Sequence, residues 1–235
     1  MTLSVIVPVY NEEKRVLEAI ARLLECNFVD EIVIVNDGST DDSKRIIEGI
    51  LENSSKVLLI SHERNEGKGK AIRTALQYCT KDIVAIHDAD LEYDPVEIAM
   101  LQQPIILGKA DVVYGSRFVG SQPKRALFFW HYLGNKLLTT LSNLASNLNL
   151  TDMETCHKVF RRSLISRIKL KENRFGIEPE MTIKFARAGA IIFEVGISYE
   201  GRTYKDGKKI GWKDGFSAIY CILKYSISPK KVWLR

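Results

Sequence analysis

The sequence predicts an α/β layered fold on a mostly parallel sheet, and three observations carry that prediction. Short apolar runs alternate with stretches of helical spacing through residues 3–115. Polar clusters follow the first, second, fourth and fifth runs, where open α/β sheets place ligands. Composition is that of an ordinary globular chain, with 46% hydrophobic and 27% charged residues over 235, enough for a substantial core.

Taken in order, residues 3–9 form a strand and 11–24 have helical spacing. A strand at 31–35 precedes a helix at 40–51, capped by Ser39 or Thr40. A strand at 56–61 leads to a helix at 68–78, and a strand at 82–87 to a helix at 95–107 with Pro95 in its first turn. Residues 111–115 are the fifth strand. Beyond them the pattern changes. Residues 127–150 are a long helical stretch with the stripe Phe129, Leu133, Leu137, Leu141, Leu144 and Leu148. A strand at 157–160, a helix at 178–188 and a strand at 191–198 follow. A basic loop at 201–209 then leads to a helix at 212–225. No repeat or linker divides the chain, so one domain over 1–235 is expected.

No apolar run approaches the roughly 18–20 residues that cross a bilayer. The first residues lack the basic start of a signal peptide, so a cytoplasmic location is expected. Four cysteines without CxxC spacing read as free thiols. The net charge of +5 is uneven. Residues 1–60 carry 6 Lys/Arg against 11 Asp/Glu, whereas residues 201–235 carry 9 against 2. A basic C-terminal end suits an anionic partner: phosphates, nucleic acid or an acidic membrane surface.

The stretch "HDADLEYDP" places Asp88, Asp90, Glu92 and Asp94 on every second residue after the fourth strand. If extended, it aims four carboxylates at one side. Such a crowd is tolerable around a hard divalent cation, which takes oxygen ligands and leaves positions for a diphosphate.

In order, "SVIVPVYNEE", "IVIVNDGSTDDS", "NEGKGKAIRTAL", "DADLEYDP" and "VYGSRF" resemble a family 2 glycosyltransferase, most like the dolichyl- or polyprenyl-phosphate mannose and glucose synthases. The likeness is close over residues 3–120 and looser through "DMETCHKVFRR" and "GRTYKDGKKIGWKDG". It implies an A-type glycosyltransferase fold: a Rossmann-like three-layer α/β/α sandwich with a mostly parallel mixed sheet. Residues 1–120 would be the nucleotide-sugar-binding half and 121–235 the acceptor-side half.

Residue by residue, the resemblance places Pro8, Tyr10 and Glu12 at the nucleoside and Asp37 at the base. Asp88 and Asp90 match its metal and ribose motif, with Ala89 against the nucleotide and Glu92 where related enzymes carry a metal-binding Gln. Arg117 matches an arginine facing the sugar or acceptor phosphate. Arg202 and Lys208 look like a clamp on the donor diphosphate, where negative charge grows as the sugar leaves. Lys68 is a further nucleotide-binding candidate beside a solvated alternative; His62 and His157 read as surface or packing residues, and His87 as no ligand.

The implied reaction is inverting transfer of a hexose, with Mg²⁺ or Mn²⁺, from GDP-mannose or UDP-glucose to a lipid phosphate. A phosphate is already an anionic nucleophile; Arg117, His131 and Asn135 would position it. The last two replace the Arg and Ser of similar archaeal-type enzymes, and Cys156 stands where those carry Gly. A hydroxyl acceptor is the alternative, with Asp152 or Glu154 as its base. A non-catalytic nucleotide-sugar-binding protein is the reading of another class. No nucleic-acid partner is expected. Residues 128–132, "FFWHY", beside Lys124 and Arg125, read either as a peripheral membrane element or as a core helix.

Overall fold

The computed structural model describes residues 1–51, 54–120, 123, 125, 126, 128–202 and 212–234. Seven strands alternate with eight α-helices among these residues: β1 (Leu3–Val9), α1 (Val16–Glu25), β2 (Glu31–Asn36), α2 (Ser43–Leu51), β3 (Val57–Ser61), α3 (Lys68–Ala75), β4 (Ile83–Ile86), α4 (Ile98–Ile106), β5 (Val112–Ser116), α5 (Phe129–Ser146), β6 (Lys158–Arg161), α6 (Arg162–Ile165), α7 (Ile177–Arg187), β7 (Ile192–Gly196) and α8 (Trp212–Ile227).

One sheet takes the order β3-β2-β1-β4-β6-β5-β7. It is parallel except at β6, which runs antiparallel to both β4 and β5. Strands β6 and β7 come from the second half of the chain, so both halves share one sheet. The central strands are apolar because both faces are covered: Val5, Ile6 and Val7 of β1, and Ile32, Val33, Ile34 and Val35 of β2, expose nothing. Each such side chain contributes roughly 1.5–3 kcal/mol by leaving water. Pro8 is tolerated in β1 because pairing with β4 stops at Ile6, leaving only β2 beside it.

A second apolar cluster lies between α5, α7 and α8, built on Ile183, Cys221, Ile222 and Tyr225 with Met153. The predicted elements are all present, with shifted ends. The first helix begins at Val16 rather than 11 because Asn11 is left-handed (φ 52°) and its Oδ1 accepts from Thr40 N–H (2.8 Å), bracketing two loops. Left-handed Asn147 (φ 55°) ends α5 at Ser146. The four-residue α6 carries no sequence signal. The apolar stripe running through α5 is split: Leu141 and, just past the helix, Leu148 pack against the apolar clusters, whereas Phe129, Leu133, Leu137 and Leu144 are exposed, and the buried positions of that helix are Thr139 and Ser142.

Candidate active site

The carboxyl ends of β1, β2, β4 and β5 bring together the residues that the sequence singled out. Segment 87–94 does not continue β4 as an extended chain, which overturns the expected alignment of four carboxylates. The strand ends at Ile86, a turn follows, and Leu91 adopts φ 63°. That conformation is costly for a γ-branched residue and redirects its neighbours. The four acids therefore part company. Asp88 turns to Lys68 Nζ (3.0 Å). Asp90 and Glu92 turn to Arg202, and Asp94 caps the 3₁₀ turn Pro95–Glu97 by accepting from Val96 N–H (3.0 Å).

Arg202 is the centre of this rim. Its guanidinium meets Glu12 (3.2 Å), Asp90 (2.8 Å) and Glu92 (3.1 Å). Glu92 is fully engaged: Oε1 also accepts from Arg202 N–H (2.9 Å), and Oε2 accepts from the Tyr199 hydroxyl (2.5 Å). A residue 112 positions away in sequence thus closes on the acid pair. Lys208, its expected companion, lies outside the described residues, as does Lys124.

The electrostatics follow from burial and neighbours. Burial, reinforced by Asp88 and Glu92, pushes the Asp90 carboxyl up to about 7 despite Arg202. Burial also opposes ionisation of Asp88, but Lys68 outweighs it and holds that carboxyl below its ordinary range. Lys68 is itself wedged between Asp88 and Glu178 (3.4 Å), and Glu178 pairs with the fully buried Lys158. Lys68 is therefore a member of a buried ion chain rather than a solvated surface lysine.

At the end of β2, Asp37 is buried and held by three partners. Its carboxylate accepts from the backbone N–H groups of Glu66 (2.9 Å) and Gly67 (2.8 Å) and meets His62 Nδ1 (2.7 Å). His62 Nε2 lies 3.0 Å from the Thr74 hydroxyl. Thus His62, expected only at the surface or in packing, positions Asp37; its place directly after β3 was the available signal. Pro8 and Tyr10 lie half-buried at the end of β1, and Ala89 is buried beneath the rim. His87 Nδ1 lies 2.8 Å from His157 Nε2, both side chains buried in the core.

The acceptor-side residues form a second cluster after β5. Arg117 donates through Nε (2.6 Å) and Nη2 (2.7 Å) to both oxygens of fully buried Asp152. The Arg117 N–H (3.1 Å) and Asn135 Nδ2 (3.2 Å) donate to the same carboxylate. Glu194 of β7 sets the loop by accepting from Thr151 and Asp152 N–H. Tyr199 and Phe118 flank the guanidinium at 5.2 and 5.7 Å. Burial raises the Asp152 carboxyl, yet Arg117 overrides it and keeps the group below its ordinary range. Asp152 is consequently a poor proton acceptor. Glu154 is different: burial, then repulsion from Glu178, pushes its carboxyl up to about 7, and its enclosed Oε1 has no hydrogen-bond partner. His131 lies one turn before Asn135 on α5, half-buried.

Among the described residues, no group of three His, Cys, Asp or Glu side chains is arranged to hold a metal ion. The rim nonetheless fits a cation in kind. Its donors are carboxylate oxygens, suited to a hard divalent ion, and a positive group already stands among them.

The chain is 29% identical to the UDP-N-acetylglucosamine–dolichyl-phosphate N-acetylglucosaminyltransferase of Methanococcus voltae, over 93% of each chain. It is 31% identical over 87% of its length to an undecaprenyl-phosphate 4-deoxy-4-formamido-L-arabinose transferase of Pseudomonas fluorescens, spanning 59% of that protein. Glucosyl-3-phosphoglycerate synthase from Mycobacterium tuberculosis, solved with Mn²⁺, UDP and glucosyl-3-phosphoglycerate, superposes with a TM-score of 0.74 over 97% of this chain and 81% of that one, at 21% identity. That likeness establishes the A-type fold. The model of glycosyl transferase family 2 matches residues 4–169, which hold the acid pair, Asp37, Arg117 and Asp152, and on that match this chain belongs to glycosyl transferase family 2.

Proposed function

We propose that the chain transfers a sugar from a nucleoside-diphosphate donor to a polyprenyl or dolichyl phosphate, with a divalent cation at the acidic rim. One observation carries this reading: Arg202, brought from the far end of the sequence, sits on Asp90 and Glu92 at the mouth of the sheet. Acid pair and diphosphate-seeking cation therefore share one place. The relatives named above act on dolichyl and undecaprenyl phosphate, which supports the acceptor class. The dolichyl-phosphate relative has a UDP-sugar in its name and the structural neighbour was also solved with UDP-glucose, so UDP-N-acetylglucosamine and UDP-glucose rank before GDP-mannose.

The residues divide the work. Asp90, with Asp88 beside it, would hold Mg²⁺ or Mn²⁺, and the ion would supply charge neutralisation of the diphosphate. Asp37, fixed by His62 and two backbone amides, reads the base, with Pro8, Tyr10, Glu12 and Ala89 forming the nucleoside bed. Arg202, with Lys208 beyond the described residues, meets the departing diphosphate. Arg117, with Asn135 and His131 behind it, positions the acceptor phosphate. An ionised phosphate oxygen attacks the anomeric carbon, the bond to the diphosphate breaks with its electron pair, and the configuration inverts. No base is required, which agrees with Asp152 being committed to Arg117. A hydroxyl acceptor is the second reading, and one observation favours it: Glu154 has a carboxyl near 7 and an unpartnered oxygen.

A lipid acceptor requires approach to a membrane. No described helix is long and apolar enough to cross one. Helices α5 and α8 expose Phe129, Trp130, Leu137, Phe216, Leu223 and Ile227; α5 has no acidic residue and α8 only Asp214. This apolar, acid-poor face supports peripheral attachment to an anionic bilayer.

The test incubates the chain with Mn²⁺, a short polyprenyl phosphate, and in turn UDP-N-acetylglucosamine, UDP-glucose or GDP-mannose, and measures nucleoside diphosphate release. Release with one donor that requires the lipid phosphate is expected. No release with any donor and metal sinks the reading; release onto a sugar alcohol but not the phosphate selects the second.

A further inference from the structure

The positive charge at the acidic rim belongs to the chain itself. Three carboxylates from two loops, Glu12 after β1 and Asp90 and Glu92 after β4, share the Arg202 guanidinium at 2.8–3.2 Å. The backbone around Arg202 is fixed at the same place: Glu200 N–H donates to Glu92 O (2.9 Å), and Arg125 Nη1 to Gly201 O (2.9 Å). Residues 203–211 lie outside the described part; Arg202 and the segment before it form this side of the rim.

Resting on the reading above, we infer that Arg202 is an internal counter-ion that competes with the divalent cation for Asp90, so that the nucleotide-free chain binds metal weakly. A guanidinium and a divalent ion on one carboxylate repel each other, and in a partly buried site that repulsion is poorly screened, so each weakens the other's hold. A diphosphate resolves the conflict. It offers the guanidinium fork a second set of anionic oxygens, at least as well matched as the carboxylates. Arg202 moves to the diphosphate, Asp90 becomes available, and metal and diphosphate enter as one unit. By linkage, the factor by which the diphosphate strengthens metal binding equals the factor by which the metal strengthens diphosphate binding.

The test titrates Mn²⁺ into the full chain and follows the free-ion signal by electron paramagnetic resonance, without substrate turnover. Three chains are compared without nucleotide: wild type, Arg202→Gln and Arg202→Lys. Arg202→Gln is expected to bind Mn²⁺ about tenfold tighter or more, and Arg202→Lys to fall between it and wild type, since one charge remains but the fork is lost. Wild type with UDP is expected to recover most of that gain. No gain in either variant overturns the inference. Equal gains in both overturn it too, because they assign the effect to a loosened loop rather than to charge. If Arg202→Gln does not fold by circular dichroism, an unchanged Arg202→Lys is sufficient to overturn it. The outcomes separate from the donor reading: tighter Mn²⁺ binding in Arg202→Gln with no response of wild type to UDP or GDP keeps the counter-ion and removes the nucleotide.

Discussion

Replacing Asp152 by Asn separates a positioning role from a proton-accepting one. The carboxylate accepts four hydrogen bonds: two from the Arg117 fork, one from the Arg117 backbone and one from Asn135. Asn keeps one acceptor oxygen and turns an NH₂ group toward the remaining donors. Arg117 is then left with its side chain only 13% exposed and no full countercharge. Removing one partner of a buried pair costs about 3–5 kcal/mol. The rings of Tyr199 and Phe118 still flank the guanidinium, so the lower end, about 3 kcal/mol, is the expectation. For a chain of this size that lowers the melting temperature by roughly 6–12 °C. Differential scanning calorimetry measures the change, and steady-state kinetics with a prenyl phosphate reads its consequence: a raised KM for the acceptor, because the misaligned group holds the acceptor and takes no proton. A shift under about 2 °C refutes the ion-pair argument. A lost kcat with unchanged KM and unchanged stability assigns Asp152 to proton transfer instead.

Gly67→Ala should lower stability by about 2–4 kcal/mol, seen as a shifted urea midpoint, since φ is +100° and the new Cβ would lie 2.5 Å from Asn173 O. Glu154→Gln tests a raised carboxyl. Between 4.5 and about 7 the folded chain retains a proton that the unfolded chain has released, so this group's contribution to stability is present at low pH and is lost as pH rises through 7. The variant should match wild type near pH 5 and exceed it by roughly 1–3 kcal/mol at pH 8 in denaturant titrations; equal stability at both pH values contradicts the assignment. The double change Phe129→Glu with Trp130→Glu, at positions 65% and 76% exposed, should abolish co-sedimentation with anionic phosphatidylglycerol vesicles at unchanged melting temperature. Vesicle binding that survives both charges excludes this face.

The fold was legible because its signals are local. Runs such as 3–9 and 31–36 are apolar for two-sided burial, and the polar segments after them fall on one edge whatever the details of packing. For the candidate site, the sequence indicated which residues meet at the sheet edge but not how they are arranged. Alternation predicted a common direction for Asp88 and Asp90, and Leu91 at positive φ breaks the alternation; no propensity favours that conformation for Leu. The pairing of Arg202 with Asp90 spans 112 positions, so resemblance alone could suggest it. His62 was missed because a histidine after an edge strand is ordinarily solvent-facing, and only folding brings Asp37 to it. The exposed stripe of α5 was ambiguous for a different reason: helical spacing reveals a face, not what covers it.

The two acids of the rim differ in what would have to be displaced for an ion to reach them. Asp88 pairs with Lys68, Lys68 with Glu178, and Glu178 with Lys158, whose ammonium also donates to Thr155 O. This chain of alternating charges runs into the core, where removing one member strands the next, and the cost of that keeps each in place. Arg202 is held differently. It sits at the end of a segment that follows β7, and among the described residues its side chain bonds to carboxylates at the rim. A guanidinium offered new anionic oxygens exchanges one set of ion pairs for another, whereas moving Lys68 would take a cation away from the buried Glu178 as well as from Asp88. On the counter-ion reading, Asp90 is the acid whose partner changes when a diphosphate arrives, while Asp88 would meet the ion without giving up Lys68.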